Sequence, residues 1–182
     1  MIQPMFMDGE QSRRRRKGPC AIPILTLFGL GLIGLVAFDR HTPLLVWNAS
    51  ASAPIGLYRV LPGAAIRGDL VLVHTPDSIR QLAHERRYLP ANVPLIKRIS
   101  GVKRDSICAA GDMIFINGRL VADRLMSDRL GRPLPRWSGC HRLDTGEVFL
   151  LMADVSDSFD SRYFGPITTT AIIGRLIPVW VE

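Results

Sequence analysis

The chain has 182 residues, a formal net charge of +7 and 47% hydrophobic residues, which gives room for one domain of ordinary size whose core needs no additional cross-links. Five of the positive charges lie in one run, Arg13–Lys17, no basic run recurs after it, and no aromatic residues are interleaved with it. This distribution argues against a nucleic-acid-binding surface, and we expect no nucleic-acid partner.

The first predicted element is an apolar run from Cys20 to Phe38, which holds 19 residues without a charge. As a helix this run would span about 28 Å, which matches a hydrocarbon core. Because basic residues favour the cytoplasmic side, we predict a cytoplasmic tail at residues 1–18, a single-pass inner-membrane anchor at 19–38 and a periplasmic domain at 39–182. A cleavable signal peptide is the alternative, although its apolar region normally has about 7–15 residues.

A segment of small residues follows the apolar run. It contains Ser50 and Ser52, separated by one alanine and followed by Pro54 and Gly56. A substrate chain could approach this backbone closely, because no bulky side chain stands in the way. The same composition is also typical of a juxtamembrane linker.

The remaining chain is predicted to be mainly antiparallel β, because short apolar or alternating runs are bounded by turn residues. One short soluble helix is predicted at Asp77–Leu89 and is stopped by Pro90. Asn117 and Gly118 predict a tight hairpin turn, since both central positions require positive φ. The polar stretch at 124–136 predicts a loop. The predicted strands are Tyr58–Leu61, Asp69–His74, Leu95–Ile99, Met113–Ile116, Arg119–Ala122, Glu147–Met152 and Ile172–Val181.

Two cysteines, Cys108 and Cys140, fall in the predicted exported part. An oxidising compartment would allow a disulfide between them that closes a loop of about 30 residues. Two unpaired buried thiols are the alternative.

Lysine is scarce in this chain, and Lys97 is the one that lies in a predicted strand. Strand alternation places Lys97 on the same face as Leu95 and Ile99, with Arg98 on the other face. Burial there would lower the lysine pKa and produce a neutral amine that could act as a general base. Alternatively, the apolar stem lies on the surface and the amine reaches water.

The four histidines lie in unrelated contexts without metal-ligand spacing, and the sequence contains neither H-E-x-x-H nor G-x-S-x-G. A serine–histidine–aspartate site would have to recruit His74 without a supporting motif. We therefore expect neither a metal nor a cofactor.

The segment at 154–166 contains Ser158-Phe-Asp160-Ser-Arg162-Tyr-Phe-Gly-Pro, which by itself indicates a polar turn with an ion pair. Together with two other segments, however, it is similar to the ordered boxes of type I signal peptidases. The other two are the Ser50–Ser52 segment and Ile-Lys97-Arg. The three segments resemble more closely the TraF-type conjugative-transfer peptidases, as does Gly-Arg-Pro-Leu-Pro at 131–135.

The resemblance implies a signal-peptidase-like antiparallel β domain with a serine–lysine pair. By resemblance, Ser52 matches the nucleophile and Lys97 the general base. Ser50 matches a hydroxyl that joins the Ser52 backbone N–H in binding the oxyanion.

Three further residues match supporting roles in that family. Ser158 matches a hydroxyl that hydrogen-bonds the lysine amine, and Asp160 with Arg162 matches the pair that supports this wall.

The function implied is processing of an exported precursor, most closely a conjugative pilin, by hydrolysis or by cyclisation of the product. In Ser52-Ala-Pro54 the serine and the proline are separated by one residue, whereas two residues separate them in the usual signal-peptidase box. The turn at 101–105 also departs from the usual turn of that family. These differences favour a dedicated peptidase over a general signal peptidase. A non-catalytic component of a conjugative transfer apparatus is the other alternative. The expected partners are the precursor, the lipid bilayer and type IV secretion components.

Overall fold

The computed structural model of the protein describes residues 25–29, 31 and 43–182, of which 25–29 and 31 are helical. The predicted tail at 1–18 and most of the predicted anchor at 19–38 lie outside the described residues. Within the described residues, no helix is long and apolar enough to span a membrane. The chain divides into two units, Met1–His41 and Thr42–Glu182, and the second contains all the elements named below.

Strands dominate the second unit, as predicted. In chain order they are β1 (Leu45–Asn48), β2 (Gly56–Leu61), β3 (Leu70–Val73), β4 (Leu95–Gly101), β5 (Ser106–Ala110), β6 (Met113–Ile116), β7 (Arg119–Asp123), β8 (Gly139–Arg142), β9 (Glu147–Leu150), β10 (Ile167–Thr168) and β11 (Ile172–Val181).

A seven-stranded sheet in the order β1-β2-β11-β3-β4-β9-β10 forms the main layer, and all its neighbouring strands are antiparallel. Strand β3 is buried along its whole length. Alternate residues of β3 enter different clusters: Leu70 and Leu72 pack with Tyr58, whereas Val71 and Val73 pack with Leu95 and other residues. Both faces of the sheet are therefore covered at its centre, which explains the continuous apolar run in β3.

A second, four-stranded sheet has the order β7-β6-β5-β8. Asn117 (φ 52°) and Gly118 (φ 78°) form the tight turn between β6 and β7, so the predicted hairpin is present. Cys108 and Cys140 lie opposite each other on β5 and β8 and are joined by a disulfide. The segment at 124–136 is a loop, as predicted, with one isolated bridge between Ser127 and Pro133 and with backbone bonds that link Asp128 to Arg132.

Helix α1 spans Asp77–Glu85 and is shorter than predicted. It ends before Pro90 because Arg87 adopts φ 60°, and the N–H groups of Arg87 and Tyr88 then return to carbonyls within the helix. The prediction of one soluble helix is incomplete, since α2 (Ser161–Phe164) forms a second one. Its single turn is too short for a helical period to be visible in the sequence.

Candidate active site

The loop that carries Ser50 and Ser52 connects β1 with β2 and is organised by the buried side chain of Asn48, the last residue of β1. The Asn48 amide nitrogen donates to the carbonyls of Ser50, Ala53 and Pro54 at 3.0, 2.9 and 3.0 Å. Its amide oxygen accepts from both the backbone N–H and the hydroxyl of Ser50 at 3.0 Å. One side chain thus satisfies five polar groups and fixes the loop.

The loop is closed at its far end by Gly56 and Tyr58. A Cβ on Gly56 would lie 2.1 Å from the carbonyl oxygen of Trp180, so only glycine allows β2 to approach β11 this closely. The Tyr58 hydroxyl donates to the Pro54 carbonyl at 2.7 Å. Gly56 therefore has a structural role in addition to leaving space, and the Tyr58 bond holds the loop at Pro54.

Lys97 lies in the middle of β4, and its amine meets two serine hydroxyls. The Nζ atom is 3.1 Å from the Ser52 Oγ and 2.9 Å from the Ser158 Oγ. Lys97 is 3% exposed. Burial lowers its pKa from 10.5 to about 8, with the Asp160 carboxylate opposing this shift and the Arg162 guanidinium adding to it. Of the two alternatives that the sequence leaves open, the amine is therefore the buried one and does not reach outward to water.

Asp160 and Arg162 form a fully buried ion pair beneath Ser158, with the Arg162 Nε 2.8 Å from an Asp160 carboxylate oxygen. Asp160 also caps α2 by accepting from the Arg162 N–H and accepts from the Met152 N–H. The guanidinium donates to the carbonyls of Met152, Val155, Ser156 and Asp123. A buried ion pair needs its remaining donors and acceptors satisfied, and here backbone groups satisfy them. Since these groups lie before and after Ser158 in the chain, the bonds fix the backbone on both sides of it.

The hydroxyls of Ser50 and Ser52 are 3.1 Å apart. Ser50 also reaches the Asn48 amide oxygen, so its hydroxyl has two acceptors within range. A hydroxyl in this position lies close enough to Ser52 to turn toward negative charge that develops beside it.

A hydroxyl and a buried amine within hydrogen-bond distance can carry out nucleophilic catalysis. In such chemistry the amine has to be neutral to take a proton, which a pKa near 8 permits for a fraction of the molecules at neutral pH. Ser158 orients the amine toward Ser52. The arrangement thus has the groups that a serine mechanism with an amine base requires: a hydroxyl, a buried amine beside it, a second hydroxyl on the amine and a third beside the first.

A cavity of about 500 Å³ opens onto these groups, and Ser50, Ser52, Lys97 and Ser158 lie in its wall. The other walls come from the end of α1, including Arg86, Arg87 and Tyr88, and from the loop at 124–136. The cavity is large enough for several residues of a peptide.

The structure brings together all six residues singled out in the sequence. Ser50, Ser52, Lys97 and Ser158 face the cavity, and the Asp160–Arg162 pair lies behind Ser158. Cys108 and Cys140 lie in the second sheet, away from the cavity lining.

Sequence reasoning assigned no role to Asn48, although an asparagine just before a small-residue loop is a common turn-forming signal. It also gave no role to the end of α1. The arginines there carry no motif that would have distinguished them from solvated charges.

Comparison with known proteins shows that residues 20–181 match the family described as "Signal peptidase, peptidase S26". The plasmid transfer protein TraF of Escherichia coli is 37% identical over 143 residues, covering 72% of this chain and 80% of that protein. A probable conjugal transfer protein TraF of Sinorhizobium fredii is 33% identical and covers 90% of both chains. Signal peptidase I V of Bacillus subtilis is 32% identical over 47% of this chain and 56% of its own length.

Proposed function

The chain belongs to the signal peptidase family, peptidase S26. From this premise we propose that it is a membrane-anchored serine endopeptidase, in which Ser52 is the nucleophile and Lys97 the general base. The observation that carries the proposal is the position of the Lys97 amine, buried and within 3.1 Å of the Ser52 hydroxyl. A buried lysine with a lowered pKa beside a serine is a recognised arrangement for activating a nucleophile.

The first step is attack of the Ser52 Oγ on the carbonyl carbon of the scissile peptide bond while neutral Lys97 takes the hydroxyl proton. The negative charge develops on the carbonyl oxygen, where the Ser52 backbone N–H and the Ser50 hydroxyl donate. Each such donor contributes about 10²–10³ in rate. The Lys97 ammonium then delivers its proton to the leaving amine, and the C–N bond breaks to leave an ester on Ser52.

The second step resolves the ester. Lys97, again neutral, takes a proton from an incoming nucleophile, which attacks the ester carbonyl. The Lys97 ammonium then returns this proton to the Ser52 Oγ as the ester C–O bond breaks, so that the hydroxyl is restored. Water as the nucleophile gives a linear product. The amino terminus of the bound chain as the nucleophile gives a cyclic product with a new peptide bond, so the two products differ by one water.

We propose an exported precursor, most closely a conjugative pilin, as the substrate. Two of the relatives are named for plasmid or conjugal transfer, which supports a role beside a conjugation apparatus. The tight Ser52-Ala-Pro54 segment supports a dedicated peptidase over a general signal peptidase.

A membrane position for the catalytic domain is part of this proposal. The apolar run at 20–38 supports an anchor. Within the described unit, Leu44, Trp47, Val179 and Trp180 are each more than half exposed, and the two indole rings stack with centroids 5.7 Å apart. Trp47 and Trp180 both pair with Leu57 at the base of the Ser52 loop. Exposed aromatic side chains of this kind favour a membrane interface.

The test is co-expression of the chain with a pilin precursor, followed by mass spectrometry of the pilin. Wild type should give a mature product, linear or cyclic, whereas Ser52→Ala and Lys97→Met should leave the precursor intact. Lys103→Met changes an exposed lysine away from the cavity and is the matched control, which should process normally.

Two outcomes would overturn the proposal. Mature pilin formed by Ser52→Ala would indicate a non-catalytic component of the apparatus. Rescue of cells depleted of their own leader peptidase would indicate a general signal peptidase instead of a dedicated one.

A further inference from the structure

The wall of the cavity that holds Ser52 contains more positive than negative side chains, and only some of its arginines are paired with carboxylates. Arg132 and Arg129 are paired with the carboxylates of Asp128 and Asp157. Burial raises the pKa of Asp128, but hydrogen bonds from Tyr88 and Arg132 outweigh it and hold the pKa well below its usual range. Asp128 therefore remains ionised and neutralises Arg132.

The two arginines at the end of α1 have no carboxylate partner of this kind within residues 43–182. The Arg86 guanidinium donates to the neutral Pro133 carbonyl at 2.7 Å, and no carboxylate among the described residues forms an ion pair with it. The Arg87 side chain is exposed, and it forms neither a hydrogen bond nor an ion pair with any residue in the part of the chain that the structure describes. Both residues lie in the cavity wall.

The backbone of Arg87 gives an independent reason to look for a role. The Tyr88 N–H bonds to the Ala83 carbonyl and the Arg87 N–H to the His84 carbonyl, which is the Schellman ending of a helix. In this motif the left-handed position is usually glycine, yet here it is Arg87 at φ 60°. A long side chain is thus held in an unfavourable backbone conformation at the edge of the cavity.

Stabilisation of the helix end does not explain why arginine occupies position 87. A cation near a helix C-terminus is favourable, but Arg86 at the cap position already supplies one. Glycine at position 87 would relieve the backbone without removing that charge. The guanidinium of Arg87 is therefore free to serve a ligand.

We propose that Arg87, assisted by Arg86, binds a carboxylate of the peptide substrate in this cavity and thereby sets specificity near the cut; this inference rests on the proposed peptidase function. A guanidinium presents a planar fork that matches a carboxylate with two parallel hydrogen bonds. The carboxylate comes either from an acidic side chain close to the scissile bond or from the C-terminus of a chain that ends close to it.

The experiment uses synthetic peptides that span the mapped cut site of the pilin precursor. One arm compares glutamate with glutamine at each position around the cut, and the other compares a free C-terminus with an amidated one. Wild type should favour one carboxylate form by about tenfold in kcat/KM, the scale of a partly exposed charge-assisted hydrogen bond. The arm that shows the preference identifies the source.

Arg87→Gly should abolish this preference while the protein becomes equally or more resistant to denaturant, because glycine fits the left-handed position. Arg104→Gly is the matched control, since Arg104 also has positive φ (75°) but does not line the cavity. It should leave the preference intact. Arg87→Lys should retain part of it, because the charge remains and the fork is lost.

Binding of the same peptides to the Ser52→Ala variant separates this inference from the peptidase proposal. The carboxylate preference should appear in Kd and disappear when Arg87→Gly is added. Wild type that cleaves none of the peptides would contradict the peptidase function. The binding measurement would still show whether Arg87 recognises a carboxylate. Equal binding of both peptide forms, or a preference that survives Arg87→Gly, would overturn the inference.

Discussion

Replacing Lys97 with methionine removes a buried amine but keeps an unbranched side chain that can fill the same space. In the folded protein the amine has a pKa of about 8, compared with 10.5 for an unperturbed lysine. Since one pKa unit corresponds to about 1.4 kcal/mol, holding the protonated amine in this site costs roughly 3 kcal/mol near pH 7. The variant avoids this cost but loses the bonds to Ser52 and Ser158, about 1 kcal/mol each.

We therefore expect Lys97→Met to be inactive and about 1 kcal/mol more stable than wild type near pH 7. The difference should depend on pH. The folded protein releases the Lys97 proton around pH 8, while the unfolded chain keeps it until about pH 10.5, so wild-type stability rises as pH increases through this window. The rise should be about 2 kcal/mol between about pH 7 and pH 9.5, and the variant should lack it.

The assay is urea denaturation of wild type, Lys97→Met and Lys103→Met at both pH values. Lys103 is exposed, so its variant should follow wild type. A stability difference between wild type and Lys97→Met that stays constant from about pH 7 to pH 9.5 would refute the reasoning that burial lowers the lysine pKa.

Three further predictions concern the same site. The kcat/KM for a peptide substrate should rise about tenfold from about pH 7 to pH 9, because the neutral fraction of an amine with a pKa of about 8 rises by that factor. A pH profile of kcat/KM that is flat over this range would contradict Lys97 as the base. Asn48→Ala should lower kcat about 10- to 100-fold with KM little changed, since the loop that carries Ser52 loses five hydrogen bonds; steady-state kinetics would show an unchanged kcat if this positioning is unimportant. Asp160→Asn should lower the free energy of unfolding by about 3–5 kcal/mol, because Arg162 keeps a buried charge without its partner; urea denaturation with a loss under about 1 kcal/mol would contradict it.

Elements with a clear period or turn signal could be predicted from the sequence. The β6–β7 hairpin follows from Asn117-Gly118, and the buried strand β3 from its apolar run. Strand β5 was missed because Ala109 and Ala110 give it little strand propensity. Strand β8 is exposed throughout, and its place in the sheet comes from pairing with β5 and the disulfide, which local pattern does not reveal.

The candidate site shows the same division. Residue types and ordered motifs pointed to Ser52, Lys97 and Ser158, but Lys97 and Ser158 are 61 positions apart and only folding shows that they meet. Arg87 could not be recognised because its significance depends on a left-handed backbone and on the absence of a partner among the described residues. Both are properties of the folded chain.

The most direct test of the serine–lysine mechanism is to trap the ester on Ser52. Wild type mixed with a peptide substrate is quenched in acid within the first turnover, digested and analysed by mass spectrometry. The mechanism predicts that the N-terminal product is attached to Ser52 in wild type and is absent in Lys97→Met. An adduct on Ser50 or Ser158, or cleavage without any ester on Ser52, would contradict it.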